Sequence, residues 1–124
     1  RTRSQLLKRG ITIAGDGVKM LEPLGLFDFV RLEEQALCVL SDSGTVQEEC
    51  CIMQIPNVTL RHVTERPETV ECGSSILAGW DPGVILQAVD AVINLDQKWA
   101  IPFEYLRDSV STTVAKIIMG KYPE

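Results

Sequence analysis

A loop of small polar residues, Ser-Asp-Ser-Gly at positions 41–44, follows a short apolar run and offers the clearest candidate chemistry. A helix is predicted to begin at Gly44 or Thr45. Small residues let the backbone approach a ligand closely, and the first N–H groups of a helix are unpaired and carry a partial positive charge. Ser43, Gly44 and Thr45 are therefore predicted to bind an anion such as phosphate.

Glu49 lies one turn after Thr45, on the same face of the predicted helix. Its carboxylate can accept two hydrogen bonds from a ribose diol, so the loop and the acid together describe a nucleotide site. Glu48 is expected to point elsewhere. An alternative needs no ligand, because Thr45 and Glu48 have the spacing of a capping box that closes a helix N-terminus.

The segment TERPE at residues 64–68 follows a later predicted strand and supplies a cation. Pro67 fixes the backbone at a helix start and so restricts the orientation of Arg66 at the edge of the sheet. A guanidinium there can form a bidentate pair with phosphate. The simpler alternative is a surface ion pair with one of three nearby acids, Glu65, Glu68 or Glu71.

The histidine and cysteines of the chain give little support for a metal site or a catalytic nucleophile. His62 is the single histidine, so a zinc site or a serine triad would depend on one imidazole, and a solvated or locally hydrogen-bonded side chain is the simpler expectation. The cysteines form no C-x₂-C pair and are expected to be small buried hydrophobes in a reducing cytoplasm: Cys38, Cys50, Cys51 and Cys72. No metal, flavin, nicotinamide or other cofactor is predicted.

Hydrophobic periodicity predicts the elements that position these residues. Helices are predicted over 1–9, 27–36, 45–53, 67–72 and 109–119 and from Pro82 onward, and strands over 18–21, 36–40, 57–60 and 76–78. Asp81 caps the helix that Pro82 opens. The face of this helix that packs on the sheet is predicted to consist of Ile85, Ala88, Val89 and Val92. The apolar side of the last helix is predicted to be Val110, Val114, Ile117 and Ile118.

The run 36–40 is apolar throughout, which is typical of a strand buried on both faces of a sheet. Alternation of such strands with helices predicts an α/β, Rossmann-like fold, a parallel sheet with helices on both faces. Residues 1–97 are predicted to form this domain. Residues 98–124 are predicted to be a crossing segment, containing Pro102, and a C-terminal helix that leaves the layer.

The composition limits the partners. The 124 residues are 45% hydrophobic and 23% charged, with 12 basic against 17 acidic side chains and a net charge of −5. Nucleic acid and anionic membranes are not expected to bind an acidic chain. The longest uncharged run, 50–60, is far shorter than the roughly 20 apolar residues of a membrane span. Because the chain opens at Arg1 and shows no leader pattern, we expect a cytoplasmic protein that is processed or part of a longer one.

Two of these segments also carry a family resemblance. DSGTVQEE at 42–49, RHVTERPE at 61–68 and ECG at 71–73 resemble the bacterial non-hydrolysing UDP-N-acetylglucosamine 2-epimerases, and TERPE is highly specific. EPLGLFDF at 22–29 looks like the PLGYxDF segment of that family. The likeness is strong over residues 19–79 and continues in register to the end of the chain.

The resemblance implies the second half of a glycosyltransferase-B-like fold, with UDP held between two domains. By matching position it implies that Ser43 and Gly44 contact the diphosphate, Glu49 the ribose hydroxyls and Arg66 the phosphates. It also implies that 1–97 is a UDP-binding domain lacking its first strand and helix.

Two positions depart from the family pattern. Thr45 stands where the family usually has a second glycine, which alters the backbone approach and adds a hydroxyl that can donate to phosphate. His62 stands where the family usually has an acid, so no role carries over to it. The segments DSGT and EECC resemble more closely those of relatives that act on modified UDP sugars in polysaccharide synthesis.

The implied activity is inversion at carbon 2 of a UDP-N-acetylhexosamine, by elimination of UDP to a glycal and its re-addition. The proton-moving acids of the family belong to its first domain, so no catalytic residue is assigned here and the isolated chain is expected to be inactive. The implied partners are UDP or a UDP-N-acetyl sugar, an N-terminal domain, and a second copy in a homodimeric full-length enzyme.

Other functions stay open on the residues alone. A half-domain of a UDP-sugar glycosyltransferase shares the acid-on-ribose arrangement. A receiver-like signalling domain would use Asp42 as phospho-acceptor, although the acidic pair that such a domain needs after its first strand is not found. A non-catalytic binding or assembly module is suggested by the slightly positive mean hydropathy of +0.09.

Overall fold

The computed structural model describes residues 2–13, 15, 17–95 and 98–120 of the chain. Arg1 of the first predicted helix, the predicted boundary at residue 97 and residues 121–124 lie outside this range. The described elements are, in chain order, α1 (Thr2–Lys8), α2 (Leu26–Glu34), β1 (Val39–Ser41), α3 (Gly44–Met53), β2 (Asn57–Thr59), α4 (Pro67–Glu71), β3 (Ser75–Leu77), α5 (Pro82–Asn94), a 3₁₀ helix (Phe103–Leu106) and α6 (Val110–Met119).

The three strands lie side by side in the order β1-β2-β3 and run parallel. In register, Val39 pairs with Asn57 and Asn57 with Ser75. A helix connects each strand to the next, as parallel pairing requires. The predicted α/β class with a parallel sheet is therefore confirmed. The carboxyl ends of the strands share one edge of the sheet, which we call the carboxyl edge.

One face of the sheet packs on α5 and is apolar. The core there consists of Val58, Ala78, Ala88 and Val92, with Cys38, Leu60, Ile76, Ile85 and Val89 packed against it. Asp81 caps α5 by accepting a hydrogen bond from the Val84 N–H at 3.0 Å, and Pro82 occupies the first turn. The predicted cap and the predicted apolar face of α5 are both confirmed.

The other face of the sheet packs on α3 and α4 and is polar. Because side chains alternate along a strand, Asn57 and Thr59 point away from Val58. Both are fully buried. The Thr59 hydroxyl donates to Asn57 Oδ1 at 2.8 Å and lies 2.8 Å from Ser75 Oγ, whose hydroxyl also donates to Asn57 Oδ1, at 2.9 Å. We call this the polar face of the sheet.

Two predictions about strands were wrong. Residues 18–21 form no strand, because the described sheet holds only β1, β2 and β3 and leaves this segment unpaired. The run 36–40 is not buried on both faces: β1 covers only Val39–Ser41, Leu37 is 78% exposed and Leu40 44%. The reason is that β1 is an edge strand in the described sheet, with a neighbour on one side only.

The C-terminal segment returns to α3 and α4 before α6 begins. Trp99 is buried and its indole N–H donates to the Cys51 carbonyl at 3.0 Å. The Tyr105 hydroxyl donates to Glu68 of α4 at 2.6 Å. The predicted apolar side of α6 is present but exposed, comprising Val110, Val114, Ile117 and Ile118. Among the helices of the described residues, none combines the length and the apolar composition that a membrane span requires.

Candidate functional site

The N-terminus of α3 lies at the carboxyl edge, directly after β1. Ser43 is the N-cap residue in extended conformation, and its side chain makes no capping hydrogen bond. Its own N–H donates to Ser41 Oγ at 3.1 Å. Since α3 begins at Gly44, Thr45 sits inside the first turn and not at the cap. The capping-box alternative is therefore wrong, and the first N–H groups of α3 have no side-chain cap.

Arg66 lies beside this helix N-terminus. A Cβ atom built on Gly44 would be 3.8 Å from Cζ of Arg66 and 3.9 Å from its Nη2. The guanidinium thus lies where a side chain on residue 44 would touch it, beside the first turn of α3. The structure brings together the two segments that the sequence singled out, the 41–44 loop and the TERPE segment.

Arg66 is paired with Glu48, an acid that the sequence did not single out as its partner. Glu48 accepts a hydrogen bond from Nε of Arg66, and the carboxylate raises the pKa of the guanidinium. Nη1 donates to the Glu65 carbonyl at 3.2 Å. Nη2, the nitrogen nearest Gly44, makes no hydrogen bond within the described residues and is available to an anion. Arg66 is about one third exposed, so the pair remains accessible to solvent.

The alternative of an ion pair between Arg66 and Glu65, Glu68 or Glu71 was wrong for a geometric reason. A helix that starts at Gly44 places Glu48 one turn farther along on the same face, where Arg66 lies. Among the acids expected instead, Glu65 pairs with Arg61 at 3.0 Å and Glu68 accepts from Tyr105.

A chain of buried and part-buried hydrogen bonds positions the backbone of Arg66, and the sequence analysis missed it. The Arg66 N–H donates to the Thr64 hydroxyl at 3.0 Å, and that hydroxyl donates to Gln47 Oε1 at 2.8 Å. The Gln47 amide donates to Thr69 Oγ1 at 3.3 Å, and the Thr69 hydroxyl donates to the Arg66 carbonyl at 2.7 Å. Gln47 and Thr69 are almost fully buried. The available sequence signal was a glutamine among the apolar residues of a short helix.

Glu49 and Thr45 share one side of α3, as predicted from their spacing. Glu49 is half-buried and makes no hydrogen bond within the described residues, whereas Thr45 is exposed. Glu33 of α2 lies near Glu49, which no sequence feature indicated. It is 3% exposed, and neither carboxylate oxygen has a hydrogen-bond partner in the described part of the chain. Burial and, secondarily, the charge of Glu49 raise the pKa of Glu33.

His62 lies at the carboxyl edge but packs against an aromatic ring. It is exposed and contacts Trp80 edge to face, with ring centroids 4.3 Å apart. Gly79 has a left-handed φ of 65°, and a Cβ there would lie only 2.3 Å from Cε1 of His62. The structure thus gives His62 a packing contact at the strand ends. No group of three or more His, Cys, Asp or Glu side chains among the described residues is arranged to hold a metal ion.

The segment that carries the 3₁₀ helix is joined to α4 through Tyr105 and Glu68. Burial and the hydrogen bond to Glu68 raise the pKa of Tyr105, and the same hydrogen bond lowers the pKa of Glu68. Tyr105 therefore remains a neutral donor at physiological pH and fixes Glu68 beside Arg66. The 3₁₀ helix is tied in this way to the element that carries the candidate cation.

Together, the parallel layer and the exposed helix N-terminus with an arginine beside it define a Rossmann-like domain whose carboxyl edge presents backbone N–H groups and a guanidinium side by side. The model of the UDP-N-acetylglucosamine 2-epimerase family matches residues 1–119, so the chain belongs to that family. The UDP-N-acetylglucosamine 2-epimerase of Methanocaldococcus jannaschii is 46% identical over 86 residues, 69% of this chain and 24% of the relative. That of Bacillus subtilis is 44% identical over 72 residues, 58% of this chain and 19% of the relative.

Solved structures of the family have the same fold. The M. jannaschii enzyme in complex with UDP-GlcNAc and UDP matches with a TM-score of 0.83 and 37% identity, over 97% of this chain and 34% of that one. The enzyme from Rickettsia bellii matches with a TM-score of 0.72 and 30% identity, over 96% of this chain and 31% of that one. The chain thus spans about a third of the solved relatives and about a quarter of the M. jannaschii sequence.

Proposed function

We propose that this chain is the UDP-binding portion of an enzyme that epimerises a UDP-N-acetylhexosamine at carbon 2. The observation that carries the proposal is the approach of Arg66 to the α3 N-terminus, with Cζ 3.8 Å from a Cβ built on Gly44. Family membership and the relative in complex with UDP-GlcNAc and UDP support the choice of ligand.

In the proposed binding mode, the diphosphate rests on the N–H groups of Gly44 and Thr45 and on the uncapped hydroxyl of Ser43. Nη2 of Arg66 donates to a phosphate oxygen while Nε stays on Glu48. Glu48 therefore holds the guanidinium in place before the ligand arrives. Glu49, half-buried and without a hydrogen-bond partner among the described residues, accepts from the ribose hydroxyls.

The reaction we propose eliminates UDP to leave a glycal and then adds UDP to the other face of the sugar. Negative charge on the departing diphosphate grows as its bond to the sugar breaks. Preorganised donors at the α3 N-terminus and on Arg66 gain strength at that moment, which stabilises the leaving group. The acids that move the proton at carbon 2 are proposed to lie in an N-terminal domain of the complete enzyme, which we propose to be a homodimer.

The isolated chain is expected to bind UDP weakly and to be inactive. A charge at a helix N-terminus contributes about 0.3–1 kcal/mol, whereas micromolar affinity requires about 8 kcal/mol. One half of a binding cleft should therefore reach only about millimolar affinity. Interconversion of UDP-N-acetylglucosamine by the purified chain, followed by NMR, would contradict this part of the proposal.

The binding mode is tested by titrating UDP into the labelled chain. We expect the amide signals of Ser43 and Gly44 and the side-chain signals of Glu49 and Arg66 to move together with one dissociation constant. Arg66→Ala should weaken binding about tenfold, the size typical of losing a charge-assisted hydrogen bond. Arg61→Ala is the matched control, because Arg61 also follows β2 but pairs with Glu65. Equal losses in both variants would point to nonspecific charge attraction.

A further inference from the structure

Two thiols meet at the C-terminal ends of the same helices whose N-terminal ends form the candidate site. Cys51 lies in the last turn of α3, and Cys72 is the C-cap residue of α4. Their Sγ atoms are 3.8 Å apart, and both thiols are free. We propose that this pair is an oxidation site, which takes a small disulfide as oxidant and closes to a Cys51–Cys72 disulfide.

The sulfur atoms need only a small displacement to bond. A disulfide has an S–S distance of about 2.05 Å, so the two atoms must approach by somewhat less than 2 Å. Cys72 stands just outside the last turn of α4, and the next residue, Gly73, has a left-handed φ of 86°. The Cys72 thiol donates only a long contact, 3.5 Å to the Thr69 carbonyl. Little is therefore lost when this side chain rotates toward Cys51.

The two cysteines differ in access, which sets their order of reaction. Cys72 is partly exposed and can be reached by a small disulfide, whereas Cys51 is fully buried beneath Trp99. Burial also raises the pKa of the Cys51 thiol. Cys72 is thus the attacking thiol, and Cys51 acts second, when the mixed disulfide brings a sulfur electrophile next to it.

The chemistry balances as two thiol–disulfide exchanges. The Cys72 thiol loses its proton, and the thiolate attacks one sulfur of the oxidant, which forms a mixed disulfide and releases one small thiol. The Cys51 thiol then loses its proton and attacks the Cys72 sulfur, which releases the second small thiol. Two electrons pass from the protein to the oxidant, and both protons end on the released thiols.

The other two cysteines are expected to stay reduced. Cys50 adjoins Cys51 in the chain but is fully buried, and burial raises the pKa of its thiol to about 12. Cys38 is partly exposed like Cys72 but has no sulfur neighbour within the described residues. Cys38 therefore controls for exposure to the oxidant without a second thiol nearby. Cys50 controls for a position in the chain next to Cys51.

The test treats the purified chain with oxidised glutathione and maps the products by mass spectrometry. We expect a loss of about 2 Da, from two thiols oxidised to one disulfide, and a cross-link between the tryptic peptides 32–61 and 62–98. Because the cross-link closes a separation of 21 residues, the oxidised chain should also melt about 10 °C higher than the reduced chain.

Four variants decide between this site and unspecific oxidation. Cys38→Ala and Cys50→Ala should oxidise like the native chain. Cys51→Ala should instead keep one glutathione on Cys72, and Cys72→Ser should form no cross-link at all. A native chain that keeps four free thiols, that accumulates glutathione adducts without closing, or that cross-links through Cys38 or Cys50 would overturn the proposal.

Discussion

The two faces of the sheet are held together in different ways, although both arise from the same three short strands. Toward α5, Val58 packs against Ala88 and Val92 by shape alone. Toward α3 and α4, Asn57 and Thr59 of the same strand are buried in hydrogen bonds of fixed direction. An apolar contact tolerates small shifts, whereas a hydrogen bond specifies which atoms must meet.

The difference matters because only the polar face is connected to the candidate site. Gln47 links the buried hydroxyls of Thr69 and Ser75 to Thr64, whose oxygen accepts from the Arg66 N–H. The apolar face supplies stability, and none of its core residues belongs to the 41–44 loop or the TERPE segment. We therefore expect changes on the polar face to alter both stability and UDP binding, and changes on the apolar face to alter stability alone.

The largest effect is expected for Gln47→Leu. The leucine removes the three hydrogen bonds that the Gln47 amide makes with Thr64, Thr69 and Ser75, and each contributes about 0.5–1.5 kcal/mol. We expect a loss of about 3 kcal/mol in the free energy of unfolding, measured by urea denaturation. The dissociation constant for UDP, measured by NMR under conditions where the variant stays folded, should also rise severalfold. An unchanged constant would show that Arg66 does not depend on this network.

The apolar face provides the contrasting variant, Val58→Ala. Removing two methyl groups from a fully buried valine should cost about 2 kcal/mol in the free energy of unfolding. UDP binding per folded molecule should stay within experimental error of the native value. A loss of affinity comparable to that of Gln47→Leu would abolish the proposed distinction between the two faces.

How far the sequence could predict the structure follows the same division. The apolar face of α5 and the Asp81 cap were predictable, because periodicity and capping are local rules. For Arg66 and Gly44, the sequence predicted only that both lie at the same edge of a parallel sheet, not that they lie side by side. The Gln47–Thr64 link and the Glu48–Arg66 pair were not, since they join residues 17 and 18 positions apart and depend on the start of α3 to within one residue.

A smaller change in the free energy of unfolding is expected when valine and threonine, which have nearly the same shape, are exchanged at two neighbouring residues of β2. This pair of variants tests the two faces of the sheet separately. Thr59→Val and Val58→Thr change one strand in opposite directions at nearly constant volume. Thr59→Val leaves Asn57 Oδ1 and Ser75 Oγ short of a partner, and Val58→Thr buries a hydroxyl among apolar side chains. Each should cost about 1–2 kcal/mol in thermal or urea unfolding. A neutral Thr59→Val would mean that the polar face is not held by directional hydrogen bonds.

The smallest effect at neutral pH is expected from Glu33→Gln. This variant tests a buried acid of α2 that belongs to neither the polar nor the apolar face of the sheet. Burial and the charge of Glu49 raise the pKa of Glu33, so the folded state binds its proton more tightly than the unfolded state does. That contribution is fully present below the ordinary pKa of a glutamate and is lost as pH rises through the raised value. Glutamine keeps the shape of the protonated acid and does not ionise. The free energy of unfolding of the variant should therefore equal that of the native chain near pH 4 and exceed it by about 1 kcal/mol at pH 8, the scale of one uncompensated buried group.

Glu34→Gln is the control, because Glu34 is exposed and pairs with Arg31 at 3.2 Å. If the stability difference between Glu33→Gln and the native chain does not grow with pH, Glu33 has a partner that satisfies its charge.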